Sequence, residues 1–125
     1  MKNNIIIELL VVYFLCTQNT IAREIKSAPI KKGMLFSSAH KSLTKAGWRP
    51  RPMHVKSEYT YIGTENVLIK QGVKGIQSCA VDGLSLCIIN YENYQHCLRV
   101  ITTGEDIKHL RIDNWDRKCP PDDAL

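Results

Sequence analysis

No G-x-S-x-G, H-E-x-x-H, G-x-G-x-x-G or Walker sequence occurs in the 125 residues. The common signatures of serine hydrolases, zinc peptidases and nucleotide-binding enzymes are therefore missing. N-x-[ST] sequons and low-complexity segments are absent as well. Acid is scarce in one stretch: from Arg23 to Ser57 a single carboxylate, Glu24, stands against nine Lys or Arg, a net +8. Glu58 to Leu125 carries seven basic and ten acidic residues, a net −3, within an overall +5. A charge so divided suits docking of the basic part on an anionic surface, although a merely solvated basic helix would look the same. Nucleic acid is the weakest of the anionic partners, because no recognised nucleic-acid motif is present.

What is there begins with a short apolar run. Lys2 precedes Ile5–Ile7 and Leu9–Cys16, interrupted by Glu8, and Thr20-Ile21-Ala22 is a small-x-small pattern ahead of Arg23. This is the layout of a secretory signal peptide, residues 1–22, cleaved after Ala22. The run falls short of the ~20 apolar residues a membrane span needs, and nothing after Ala22 resembles one. The mature chain would be 103 residues long, enough for one domain and too few for two.

Cleavage also removes Cys16 and leaves Cys79, Cys87, Cys97 and Cys119. An even number in a short exported chain reads as two disulfides. Their spacings do not fit the paired ligands of zinc sites, and His40, His54, His96 and His109 form no short-spaced pair either. We expect no metal and no cofactor. Four cysteines allow three pairings. Leu86–Tyr91 and Cys97–Thr103 read as the arms of a hairpin. A two-residue loop at Asn93-Tyr94 would set Cys87 opposite Val100 and turn Cys97 to the other face, since side chains alternate along a strand. That disfavours Cys87–Cys97, while a loop of odd length would reverse the parity. The expected pairs are Cys79–Cys87 and Cys97–Cys119, which by loop entropy would stabilise the fold by roughly 2.6 and 3.4 kcal/mol.

Residues 23–34 read as a flexible leader, 35–119 as one domain and 120–125 as a tail. Ser37 or Ser38 could cap a helix running to Ala46 and ended by Gly47. Thr64 could cap a second, Glu65–Gln71, stopped by Gly72. The two share an echo, Leu43-Thr44-Lys45-Ala46-Gly47-Trp48 beside Leu68-Ile69-Lys70-Gln71-Gly72-Val73. From Gly75 onward the texture is β: Ile76–Cys79, Leu86–Tyr91, Cys97–Thr103 and His109–Trp115. Helices first and a meander afterwards predict an α+β domain, two short helices on a three- to four-stranded antiparallel sheet stapled by disulfides. Trp48, Tyr59, Tyr61 and Trp115 are candidates for its core or rim.

Candidate binding residues follow from the charge: Lys41 and Lys45 four apart on one helix face, then Trp48, Arg49 and Arg51, basic groups beside an aromatic that could grip a phosphate or carboxylate. Candidate catalytic residues are fewer. His96 and His109 could approach across the sheet, with Asp113 nearby, as a small secreted hydrolase or nuclease would require. Glu105-Asp106 and Asp122-Asp123 lie in turns and read as solvated pairs.

Gly47-Trp48-Arg49-Pro50, the Cys79–Cys87 segment with Gly83 between, and Leu98-Arg99-Val100-Ile101-Thr102-Thr103-Gly104-Glu105 together resemble a family of small exported bacterial proteins. That family shows a GWxP segment, a Cys-turn-Cys segment and an LxVxTxGE strand. The likeness spans about Leu35 to Trp115. It implies bacterial export and supports joining Cys79 to Cys87, and it brings no activity with it. This chain departs at Ala80-Val81-Asp82, where the family tends to small residues and an earlier glycine, and Cys97 and Cys119 look like additions.

The reading that gathers these features is a periplasmic or secreted, non-enzymatic binding module. It would be an inhibitor or immunity type, docking an acidic protein or anionic envelope surface through its basic face. The alternatives are the His96/His109 hydrolase and an envelope structural protein adhering to anionic lipid.

Overall fold

Two helices end in the same way, and those endings place the strands that follow. In the computed structural model, which describes residues 28–125, α1 spans Phe36–Lys45 and α2 spans Gly63–Lys70. After α1 the Gly47 N–H donates to Thr44 O and the Trp48 N–H to Leu43 O, with Gly47 at φ 94°. After α2 the Gly72 N–H donates to Ile69 O and the Val73 N–H to Leu68 O, with Gly72 at φ 83°. Both are Schellman endings, in which a left-handed residue lets the chain turn back on the last carbonyls. Leu43 and Leu68 are buried, as are Trp48 and Val73, so each turn closes with its characteristic apolar contact. The echo in the sequence is this motif, used twice.

The starts differ from expectation. Neither Ser37, Ser38 nor Thr64 is a cap: the residues at the N-caps are Leu35 and Ile62, and no side-chain cap bond forms at either. At α1 the Phe36 N–H donates instead to Leu110 O, and Leu35 bridges Arg111. At α2 the Ile62 N–H donates to the Glu65 carboxylate, which stands at the third helical position where such a back-bond forms.

The sheet has five antiparallel strands: β1 Arg49–Pro50, β2 Ile76–Cys79, β3 Cys87–Asn93, β4 His96–Thr103 and β5 Arg111–Asp116. The α+β class and both disulfides are present; the strand count corrects the expected three or four. The extra strand is β1, too short and too proline-rich to announce itself. β1 pairs with Tyr91 and Glu92, while β2 pairs with Cys87, Ile88 and Ile89. The two short strands thus lie end to end along one edge of β3 and meet at Asn90, which accepts from Arg51 N–H and donates to Gly75 O. Gly75 has φ 79°, and a Cβ there would sit 2.4 Å from Asn90 O. Only glycine fits that junction.

The β3–β4 hairpin turns at Tyr94-Gln95, one residue beyond the expected Asn93-Tyr94, because Asn93 still pairs with His96. Cys87 therefore faces Thr102 and not Val100. A shift of two leaves every side chain on its expected face. One face, with Ile89, Tyr91, Leu98 and Val100, packs under α1 and α2 with Phe36, Ala39, Leu43, Trp48, Leu68 and Ile112 in the main core.

Both ends of the described segment are tied down. Of the expected flexible leader, residues 28–34 are described: Ile30 is buried, Gly33 N–H donates to Ile112 O, and Ile112 N–H donates to Met34 O. The expected tail closes with a 3-10 turn, Asp122–Ala124, and the carbonyls of Ala124 and Leu125 accept from His54 and Lys56 N–H. The signal peptide, its cleavage point and Cys16 lie outside the described residues. Among the described residues no helix is long and apolar enough to cross a membrane.

Candidate functional site

Disulfides join Cys79 to Cys87 and Cys97 to Cys119, the expected pairs. Such bonds form and persist in an oxidising, extracytoplasmic environment. Cys79 and Cys87 face each other on β2 and β3 with Cα atoms 4.0 Å apart. That is the close spacing of a pair whose backbone groups point away from each other. Accordingly the Cys79 N–H faces outward and donates to Glu65 at 2.8 Å. The second bridge fixes the C-terminal segment at Cys97, on the face opposite the helices.

The basic candidates separate into two sets. Lys41, Lys45 and Arg49 are exposed, two along α1 and one on β1. The α1 ending brings this ridge to the hairpin tip, since Gly47 lies against the Asn93 side chain and Arg49 pairs with Glu92. Tyr94, 81% exposed, stands at that tip. The other two candidates turn inward. Trp48 is only 2% exposed, so it is a core residue and not a grip for ligand. The Arg117 guanidinium lies 4.6 Å over its ring, a cation–π contact that covers the indole. Arg51 donates to the Cys97 sulfur and approaches Glu92 at 3.9 Å. Its charge is half-buried and partnered.

His96 and His109 do not meet. His96 begins β4 opposite Asn93, whereas His109 precedes Arg111, which pairs with Thr103 at the far end of β4. Seven residues of strand, roughly 23 Å, lie between those ends. His109 bonds Asp106 at 2.7 Å rather than Asp113. That contact and the Lys108 and His109 backbone N–H groups hold the Asp106 carboxyl below its ordinary range.

A cluster that sequence reasoning did not single out surrounds Glu65. This carboxylate is 4% exposed and accepts from Tyr59 O–H at 2.9 Å, Cys79 N–H at 2.8 Å and Ile62 N–H at 3.3 Å. Burial first, and then the hydrogen bond to Glu65, pushes the Tyr59 hydroxyl up to about 12. Burial and the same negative charge raise Tyr61. His54 stacks on Tyr59 with ring centroids 3.6 Å apart and donates from Nε2 to Gln77 O at 2.6 Å. A histidine, two tyrosines and a buried acid look like catalytic equipment. Their partners give them a structural role: His54 and Glu65 satisfy the outward carbonyl of Gln77 and N–H of Cys79 on β2, an edge that would otherwise be open to another strand. The cue in sequence was Glu65, three residues after the true cap.

At the Cys87 end of β3, next to this cluster, lies an open cleft of about 350 Å³, lined by Ile62, Gly63 and Thr64 of α2, by Cys79–Gly83 and Ser85, and by Glu105. Among the described residues no group of His, Cys, Asp or Glu could hold a metal ion. No protein-family model, curated protein or solved structure matches the chain.

Proposed function

We propose that the chain is a non-enzymatic binding module of the inhibitor or immunity type, working in the periplasm or outside the cell, which docks an acidic protein through the ridge of Lys41, Lys45 and Arg49. One observation carries the reading. These three cations are exposed, and none forms an ion pair among the described residues, although the Arg49 backbone lies opposite that of Glu92. The nearby cations Arg51 and Arg99, by contrast, are committed to Glu92 and Asp116. Tyr94 beside the ridge adds a side chain of the kind that anchors protein interfaces. Burial of Trp48 weighs against adhesion to lipid, where an indole gains most by lying in the headgroup layer. The distance between His96 and His109 weighs against the hydrolase. Export rests on residues 1–22 together with the two disulfides.

Capture from an envelope extract at low and at high salt tests the reading. A partner held at low salt, released at high salt and weakened about tenfold by Lys41→Gln/Lys45→Gln/Arg49→Gln is the expected result, since rim charges act through long-range attraction. Binding indifferent to both salt and the triple variant would overturn it. So would co-sedimentation of the protein with anionic vesicles in place of any protein partner.

A further inference from the structure

The opposite pole of the sheet carries a second surface of different chemistry. Residues 80–86 form a loop closed at its root by Cys79–Cys87 and fixed by Ala80 N–H to Leu86 O and Ser85 N–H to Asp82 O. Out of this rigid loop stand Val81, 91% exposed, and Leu84, 67% exposed, with Ile62 at 58% on the neighbouring start of α2. Large apolar side chains held so far into water by a covalent clamp gain nothing for the fold. A pre-ordered loop does lower the entropy cost of an association.

The cleft under this loop sets Ile62, Val81 and the Cys79 end of the bridge beside two exposed carboxylates, Asp82 and Glu105. No ion pair among the described residues uses either acid. The positive end of α2 is offset by the Glu65 carboxylate in its first turn, which also accepts from the Ile62 N–H. An occupant matched to these walls has an aliphatic stem and a cationic head, the anatomy of Arg or Lys.

We infer that the disulfide-clamped loop 80–86 and its acid-lined cleft form a second docking surface, for a protein segment that inserts an Arg or Lys side chain flanked by apolar residues. The basic ridge lies at the hairpin end of β3 and this cleft at its Cys87 end, so the surface does not depend on the function proposed above.

The test is a titration of the oxidised protein with the capped tripeptide acetyl-Leu-Arg-Val-amide, followed by amide chemical shifts, with acetyl-Leu-Gln-Val-amide as the uncharged control. Saturable shifts at Ile62–Thr64, Ala80–Ser85 and Glu105 are expected with the Arg peptide. Asp82→Asn/Glu105→Gln should weaken them about fivefold, as loss of two exposed ion pairs would. Val81→Ser should weaken them without altering the rest of the spectrum. All three positions are on the surface, so an unchanged spectrum elsewhere shows that the variants fold. An equal response to the Gln peptide, or shifts centred on Asp122 and Asp123, would overturn the assignment. Self-association that is lost both in the cleft variant and in the Lys41/Lys45/Arg49 variant would also overturn it, giving the cleft to a second copy of the chain.

Discussion

The two helix–turn–strand units, α1–β1 and α2–β2, end on the same motif and deliver strands to the same edge of β3, yet they are held by different forces. The first is closed by apolar burial. Trp48 fills the core under Arg117, and Tyr91 of β3 bonds His40 Nδ1 of α1 at 2.8 Å. The second is closed by a buried carboxylate and a covalent bond, with Glu65 tying α2 to β2 through the Cys79 N–H and the bridge tying β2 to β3. A Schellman ending is local, so a Leu, a Gly and an apolar residue at fixed spacing repeat it wherever they occur. What secures the unit afterwards is decided by residues far away in the chain. Three measurements would sharpen or break that contrast.

The largest effect should come from truncating the residue that closes each turn. Trp48→Ala removes a fully enclosed indole and should cost about 3–5 kcal/mol. Val73→Ala, at the equivalent place after α2, loses fewer buried atoms and should cost about 2 kcal/mol or less. Denaturant midpoints of the oxidised variants measure both. Equal costs would mean that the units are held alike and that Glu65 adds nothing the first unit lacks.

Next in size is the removal of that carboxylate. Glu65→Ala leaves the Cys79 and Ile62 N–H groups without their acceptor and strips β2 of its edge cover. Loss of these hydrogen bonds to a charged group should cost roughly 1.5–3 kcal/mol. Hydrogen exchange at Cys79 should quicken in the variant, whereas the first unit's Trp48 and Arg51 amides should be affected less. Uniform acceleration across the sheet would show that the two units do not open independently.

The same division explains what could be foreseen. Both helix endings and both disulfide pairs were legible, because a glycine stop is local and strand parity survives a register error of two residues. The helix starts were not, since Phe36 N–H finds Leu110 O, 74 residues away along the chain, and no serine nearby is needed. β1 was missed because two residues, one of them proline, carry no alternating pattern, and its pairing is set by Tyr91 and Glu92 on β3. Trp48 reads both as a core or rim aromatic and, from its basic, proline-rich stretch, as part of a binding face; the first reading holds. Its burial follows from the Gly47 turn, which sends it back under Leu43. Of the basic candidates, Lys41, Lys45 and Arg49 are exposed, as helix spacing and flanking composition suggest for a solvated basic stretch. Arg51 was drawn inward by Glu92 and the Cys97 sulfur, partners more than forty positions on.

The smallest effect separates the units by pH. Each holds a tyrosine: Tyr91 under α1, raised by burial, and Tyr59 beside α2, raised by burial and by the Glu65 carboxylate. A phenol whose folded value lies above its unfolded value of 10.0 contributes stability that is complete below pH ~10 and is lost as pH rises through the folded value. For Tyr59 that window runs from 10.0 to about 12. Tyr91, with no carboxylate on its hydroxyl and a fully enclosed ring, is held higher still. Phenolate absorbance of the native protein should therefore rise from Tyr59 before it rises from Tyr91, which ionises only on unfolding. Tyr59→Phe should remove the earlier step and flatten part of the alkaline fall in melting temperature. If the step near 12 persists in that variant, it does not belong to Tyr59, and the burial and Glu65 contact assigned to that phenol do not set it.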